Sequence, residues 1–207
     1  MRYNWGTDRL AAFSDGVFAI AITLLILEID VPDSSFDNLW KGILDQWPSY
    51  LAYVTSFLTI GATWLHHHLV FRQIAWANSA LLRLNILLLM LVSFLPFPTK
   101  LMAKALTQTD TAERVAVFFY GVVLLTISAT MALIWHQAVA NDQLKPEVTA
   151  TEITTINRLT RPFVALNVLV ISSAFVAPKA AVFGYLLIAA MALLRRHHPQ
   201  PSRADPH

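Results

Sequence analysis

Arg9, Phe13, Ser14 and Asp15 bring a guanidinium, a hydroxyl and a carboxylate to the opening turns of one apolar run, and His66, His67 and His68 close another. Groups of these types could hold a cation, relay a proton or tie helices together. An ionised carboxylate at the edge of a hydrocarbon layer is costly and needs a partner or water. Asp15 and Ser14, one to two turns past Arg9, therefore read as a polar cluster that pins a helix end against its neighbours. Consecutive helical residues point about 100° apart, so the three histidines cannot all ligate one ion. No metal site is expected there; one or two of the rings join the polar cluster and the rest face headgroups or water. Beyond Asp15 the first run is apolar except for Thr23, and Ile20, Thr23, Leu24 and Leu27 fall at i, i+3, i+4 and i+7, one helical face. On periodicity alone that stripe reads as a packing seam rather than a pore lining. The apolar runs contain no paired carboxylates, no nucleophile with a base and no phosphate-cradling glycine loop, so an enzyme is not expected. The sequence has no cysteine, which excludes disulfides, thiol chemistry and Cys-based metal sites.

The elements that must position these groups are set by composition. Apolar residues make up 56% of the 207 and charged residues 14%, with a mean hydropathy of +0.54. Soluble domains lie near about 45–50% apolar and about 25% charged. A small soluble protein has too little interior for that excess, whereas a bilayer accepts it as surface. The net charge of +2 and the absence of any RNA or DNA motif argue against a nucleic-acid partner; membrane lipid is the expected surrounding. Apolar stretches separated by charge and proline predict an all-α protein with six transmembrane helices. They fall near Leu10–Ile29, Pro48–Leu65, Ile74–Phe97, Val115–Trp135, Phe163–Ala177 and Ala180–Leu194. Pro96 and Pro98 are expected to close the third. The last two runs are short, and two spans or one re-entrant hairpin both fit them. Phe36, Leu39, Trp40, Ile43 and Leu44 recur at helical spacing and predict a short interfacial helix. Asn141 to Arg161 reads as a polar segment. Residues 1–195 form one six-helix unit without an internal repeat, and 196–207 a basic tail expected to be disordered.

Orientation follows from the basic residues. With the N-terminus inside, the inner segments carry Arg2, Arg9, Arg72, Arg83, Lys145, Arg158, Arg161, Arg195, Arg196 and Arg203, and the outer ones Lys41, Lys100, Lys104, Arg114 and Lys179. That excess predicts a multi-pass protein of the cell membrane with both termini cytoplasmic.

Three motifs in order carry a family likeness. Arg9-x-x-x-Phe13-Ser14-Asp15 resembles the signature that opens the first helix of the transmembrane protein 175 family, the lysosomal-type potassium channels. Trp64-Leu-His-His67-His68-Leu-Val-Phe71 is similar to the end of that family's second helix, and Leu84-Asn85 through Pro96-Phe97-Pro98-Thr99 to its third. The resemblance covers Arg9 to Thr99; the second half matches in span count and length. Six spans in about this length resemble the single-repeat prokaryotic members.

The resemblance implies a homo-oligomer, a tetramer, in which first helices surround a pore that passes potassium ions passively, with no cofactor. It places the pore constriction on Ile20, with further apolar rings at Leu24 and Leu27 and a pore-lining hydroxyl at Thr23. It assigns Arg9, Ser14 and Asp15 to a buried polar network with Trp64 and with His67 or His68, which sets the tilt of the pore helix. No Thr-Val-Gly-Tyr-Gly filter is present, so a carbonyl cage is absent. Two rivals remain: a proton-conducting channel using Asp15 and the histidines, and an ion-coupled secondary transporter. The second would ordinarily need more spans, repeats and broken helices.

Overall fold

The computed structural model describes residues 5–30 and 32–194, the side chains of 5, 33–35 and 159–163 excepted. The tail expected to be disordered lies outside the described residues, as do Arg2, Arg195, Arg196, Arg203 and the Arg161 side chain.

Helix α1 (Thr7–Leu24) tightens into a 3-10 turn over Leu25–Glu28. A second such turn, Asp33–Asn38, leads into α2 (Leu39–Asp45), where the Asn38 side chain accepts from the Lys41 backbone N–H at 3.2 Å. This is the short helix that the Phe36–Leu44 spacing predicts, with Trp40 exposed on it. Then come α3 (Trp47–Gln73), α4 (Ser79–Phe94), α5 (Pro96–Ala105), α6 (Asp110–Ala140), α7 (Ala150–Ser173) and α8 (Pro178–Leu194). Two extended pairs, β1 (Trp5–Gly6) and β2 (Trp76–Ala77), run antiparallel. The fold is all-α apart from that clasp.

Among the described residues, three helical segments are long and apolar enough to cross a membrane: Thr7–Glu28, Ser79–Ala105 and Asp110–Ala140. At roughly 1.5 Å per residue, the first reaches about 33 Å, enough for a hydrocarbon core of about 30 Å. The chain is a membrane protein. Helix α3, with 27 residues, is also long enough, but Thr55, Ser56, Thr59, Thr63 and the three histidines dilute its apolar character.

Boundaries differ from the sequence reading in three places, each for a local reason. Residues 74–77 are extended, not helical: Ile74 bridges Leu144, and β2 pairs β1. The third helix starts at Ser79, where the Asn78 side chain accepts from the Leu81 N–H at 2.9 Å. Pro96 and Pro98 do not close it. Leu95 stays in helical conformation and Pro96 opens α5, a position where a missing N–H is tolerated, so the helical path continues to Ala105. The polar segment before the fifth run is helical from Ala150, because Thr149 and Glu152 form a reciprocal capping box. Before it, α6 ends at Ala140 and is capped by Asn141, and Asp142 follows at φ 51°, a left-handed stop that aspartate tolerates.

Helix α6 sits at the centre, packed against α4, α5, α7 and α8, with Tyr120, Met131 and Ile134 fully buried. A directed chain of hydroxyls joins three helices. Thr99 Oγ1 donates to the Leu95 carbonyl at 2.8 Å, so it accepts from Ser56 Oγ at 2.7 Å, and Ser56 accepts from Tyr120 Oη at 2.9 Å. Gly121 and Gly184 let helices approach: a methyl on Gly121 would collide with the Tyr185 hydroxyl, and one on Gly184 would press on Val170. Trp135 is buried, its indole N–H on Asn157 Oδ1 at 3.0 Å.

Candidate functional site

Helix α1 has two faces of opposite kind. Ser14, Phe18, Ala21 and Leu25 are buried, spaced so that they follow one side of the helix, and this side packs on α3 and α4. On the other side Ile20, Leu24 and Leu27 are 61%, 42% and 69% exposed, and Phe13 two turns earlier is exposed too. In a membrane protein an apolar face left uncovered within one chain can meet lipid, another helix or a passage, and Ile86, Met90, Leu133, Phe183 and Leu187 on other helices are exposed as well. Thr23 lies on this open face, its hydroxyl donating to the Ile20 carbonyl at 2.8 Å. With its proton so engaged, the outward side of that hydroxyl offers lone pairs only.

The buried side of α1 is anchored by two hydrogen-bonded ties. Trp64 Nε1 donates to Asp15 Oδ1 at 2.8 Å, joining α3 to α1. Beside it, Ser14 Oγ donates to the Leu10 carbonyl at 2.8 Å, so it can only accept from Asn85 Nδ2 at 3.0 Å. The Asn85 Oδ1 then faces His67 Nε2 at 3.0 Å, so the histidine holds its proton on Nε2 and donates. The chain thus runs from α3 through α4 to α1, every step satisfied in one direction. The His67 ring is stacked on Phe71 at 4.0 Å and meets Phe18 of α1 at 5.4 Å.

The structure separates the candidates named from the sequence. Ser14, Asp15, Trp64 and His67 come together. His68 does not join their bonds: it is exposed, 6.0 Å from the Trp64 ring. Arg9 is exposed and has no ion pair or side-chain hydrogen bond among the described residues. It precedes Asp15 by six residues, a rotation of roughly 240° at about 100° each, so the two side chains leave α1 in different directions. Asn85, named above only as part of the third motif, is the hinge of the network. An amide within an otherwise apolar run was its signal. Among the described residues no group of three or more His, Asp and Glu comes together to hold a metal ion.

Both ends of α1 are also held. At its start β1 pairs β2, and Thr7 Oγ1 donates to the Ile74 carbonyl at 3.3 Å. At its finish Glu28 Oε2 lies 2.9 Å from Lys100 Nζ of α5, immediately after Leu27. The sequence hides this pair, because Pro96 and Pro98 place Lys100 in a connecting segment beyond the end of the third run.

An all-helical membrane protein whose first helix is tied down on one side and open on the other matches known proteins. A family model described as the endosomal/lysosomal potassium channel TMEM175 matches residues 9–96. The chain is 47% identical over 146 residues to a protein of Streptomyces collinus named a potassium channel, covering 70% of each. It is 36% identical over 145 residues to a Danio rerio protein named an endosomal/lysosomal proton channel, covering 66% of this chain and 28% of that one. The crystal structure of a lysosomal potassium-selective channel TMEM175 homolog from Chamaesiphon minutus is similar at TM-score 0.83 and 37% identity, over 91% of this chain and 97% of that one. The chain belongs to the TMEM175 family, a family of ion channels.

Proposed function

We propose that the chain is one subunit of a potassium-selective cation channel in which α1 from each copy lines a shared pore. The observation that carries this reading is the division of α1 into a packed, hydrogen-bonded side and an open side bearing Ile20, Leu24 and Leu27. The bacterial relatives named potassium channels supply the ion. One chain has one such face, so a pore needs several copies; the tetramer is the assembly that the family resemblance implies.

Stacked rings of Ile20, Leu24 and Leu27 form a hydrophobic constriction. Narrow, it sheds water and blocks ions; slightly dilated, it wets and conducts. Potassium loses its hydration shell at lower cost than sodium, so a barrier that strips water favours potassium without a carbonyl cage. The Thr23 oxygens, their protons turned to the backbone, suit a passing cation.

Six crossings with both termini cytoplasmic, in the cell membrane, complete the proposal. Contacts between connecting segments support the alternation. The inner-side residues Gly6, Trp76, Ile74 and Leu144 meet one another. Lys100 with Glu28, and Lys179 with Glu113 at 3.9 Å, meet on the outer side.

Proton conduction is favoured as a second reading by the vertebrate relative's name. Against it, Ser14, Asn85 and His67 are buried and their bonds end on a backbone carbonyl, which leaves no open end for a relay. Purified protein in liposomes tests the assignment. Passive potassium efflux that exceeds sodium efflux, with no coupled ion, is the expected result; strict coupling to another ion, or proton flux alone, would overturn it.

A further inference from the structure

We infer that Gln143, which lies between α6 and α7 and away from the open face, is a positioning residue for the pore. It locks the α6–α7 connection to the extended segment on which the start of α1 rests, and so sets how readily the constriction dilates. The inference rests on the reading that α1 lines the pore.

The device begins where α6 stops. Asp142 takes the left-handed turn, its N–H reaching the Val139 carbonyl at 3.4 Å, while the Gln143 N–H reaches the Ala138 carbonyl at 3.0 Å. That pair of bonds is a Schellman stop, and Gln143, the residue that follows the turn, is fully buried. Its backbone carbonyl accepts from the Ala75 N–H at 2.8 Å, and the Lys145 N–H reaches the Gln73 carbonyl at 2.9 Å. Residues 143–145 thus lie beside 73–75, with Ile74 bridging Leu144.

The Gln143 side chain adds the specific contact. Turned so that both ends of the amide pair, Oε1 accepts from the Asn78 N–H at 3.0 Å and Nε2 donates to the Gln137 carbonyl at 3.3 Å. The opposite turn leaves a single bond, from Nε2 to the Trp76 carbonyl at 3.3 Å. Asn78 caps α4, and in a capping box the N–H of the cap residue is met by a glutamate or glutamine at the third helical position. Here that position is Leu81, so the glutamine is supplied by a distant connection.

What Gln143 fixes is what α1 stands on. Between Gln73 and Asn78 lie Ile74, whose carbonyl accepts from Thr7 Oγ1 at 3.3 Å, and Trp76–Ala77, which pair with Trp5–Gly6. Gly6 is the cap residue of α1. Losing the Gln143 amide leaves the Asn78 N–H without its acceptor and loosens the segment that anchors α1 at that end, while Ile20, Leu24 and Leu27 keep their chemistry. Opening becomes easier, and the open pore is unchanged.

The test records assembled wild-type and Gln143→Met channels one at a time in planar lipid bilayers, in potassium and in sodium. Methionine keeps the length and removes both amide bonds. The equilibrium constant for opening should rise about fivefold, the worth of one neutral hydrogen bond, with unit conductance and the preference for potassium unchanged. Thr7→Val, at the other end of the same path, should also raise opening, but by much less when Gln143→Met is already present. If Gln143→Met does not assemble, Gln143→Asn, one methylene short, should give a smaller rise. Fewer channels with unchanged opening would make Gln143 a purely structural residue and overturn the inference. Independent, multiplicative effects of Gln143→Met and Thr7→Val would overturn it too. Wild-type protein that passes no potassium current would overturn the pore reading itself, and this inference with it.

Discussion

Asn85→Ala removes the residue through which α3, α4 and α1 are joined, and its cost can be worked from the geometry. Two bonds vanish, to Ser14 Oγ and from His67 Nε2, each at 3.0 Å. Ser14 keeps its bond to Leu10, so it loses only an accepted bond. His67 is left with a buried N–H and no acceptor. In a soluble core an orphaned donor costs about 1–3 kcal/mol. Between membrane helices each such bond is worth nearer roughly 0.6–1.7 kcal/mol, because separated helices also find partners in lipid. The membrane value governs here, and two bonds give a loss of about 1–3 kcal/mol. For a chain of this size that corresponds to roughly 3–10 °C in melting temperature. His67→Phe keeps the stack on Phe71 and deletes the donor. Combined with Asn85→Ala it should cost less than the sum of the single changes by about 0.6–1.7 kcal/mol. Thermal unfolding of the four purified proteins, followed by size-exclusion chromatography in detergent, measures the cycle. Additive losses, with no coupling above the roughly 0.3–0.5 kcal/mol expected of independent sites, would refute the directed network.

Three further outcomes follow from other ties. Asp15→Ala frees the Trp64 indole N–H and should lower the yield of assembled oligomer more than it alters ion preference; normal assembly with a new selectivity, read by liposome flux, would instead put Asp15 in the pore. Lys100→Gln leaves Glu28 uncompensated next to Leu27, which should raise potassium flux about twofold at low salt and lose that gain above roughly 0.15 M salt; since Lys100 is 45% exposed, its effect on stability should stay under about 1 kcal/mol. Gly121→Ala forces a methyl against the Tyr185 hydroxyl and should cost about 1–3 kcal/mol, with Tyr185→Phe in the same chain recovering part of it in a thermal melt.

What could be read from the sequence divides along physical lines. Membrane residence and the helical class follow from an apolar excess that no soluble core of this size could hide. The stripe of Ile20, Leu24 and Leu27 is legible because residues three and four apart share a face in any helix. Which side of α1 is packed is not legible that way, since both stripes are apolar; Ser14, buried and bonded, decides it. The choice between His67 and His68 depends on the rotation of α3 against α1, since adjacent residues point about 100° apart and only tertiary packing fixes which of them faces α1. The Thr-x-x-Glu capping box at Thr149 was present in the sequence, but the surrounding charges made that stretch read as a connector. The Glu28–Lys100 pair stays hidden because prolines read as a stop in sequence; at the first turn of a helix they are a start.

The central claim, that the open face of α1 is the barrier and sieve of a potassium pore, is tested most directly at Ile20. Potassium and sodium efflux should be measured from liposomes carrying equal amounts of assembled wild-type and Ile20→Asn channels. An amide in the ring wets the constriction and shortens the dry path, so the account predicts a higher flux of both ions and a smaller preference for potassium. An assembled Ile20→Asn channel with unchanged flux and unchanged preference would contradict it.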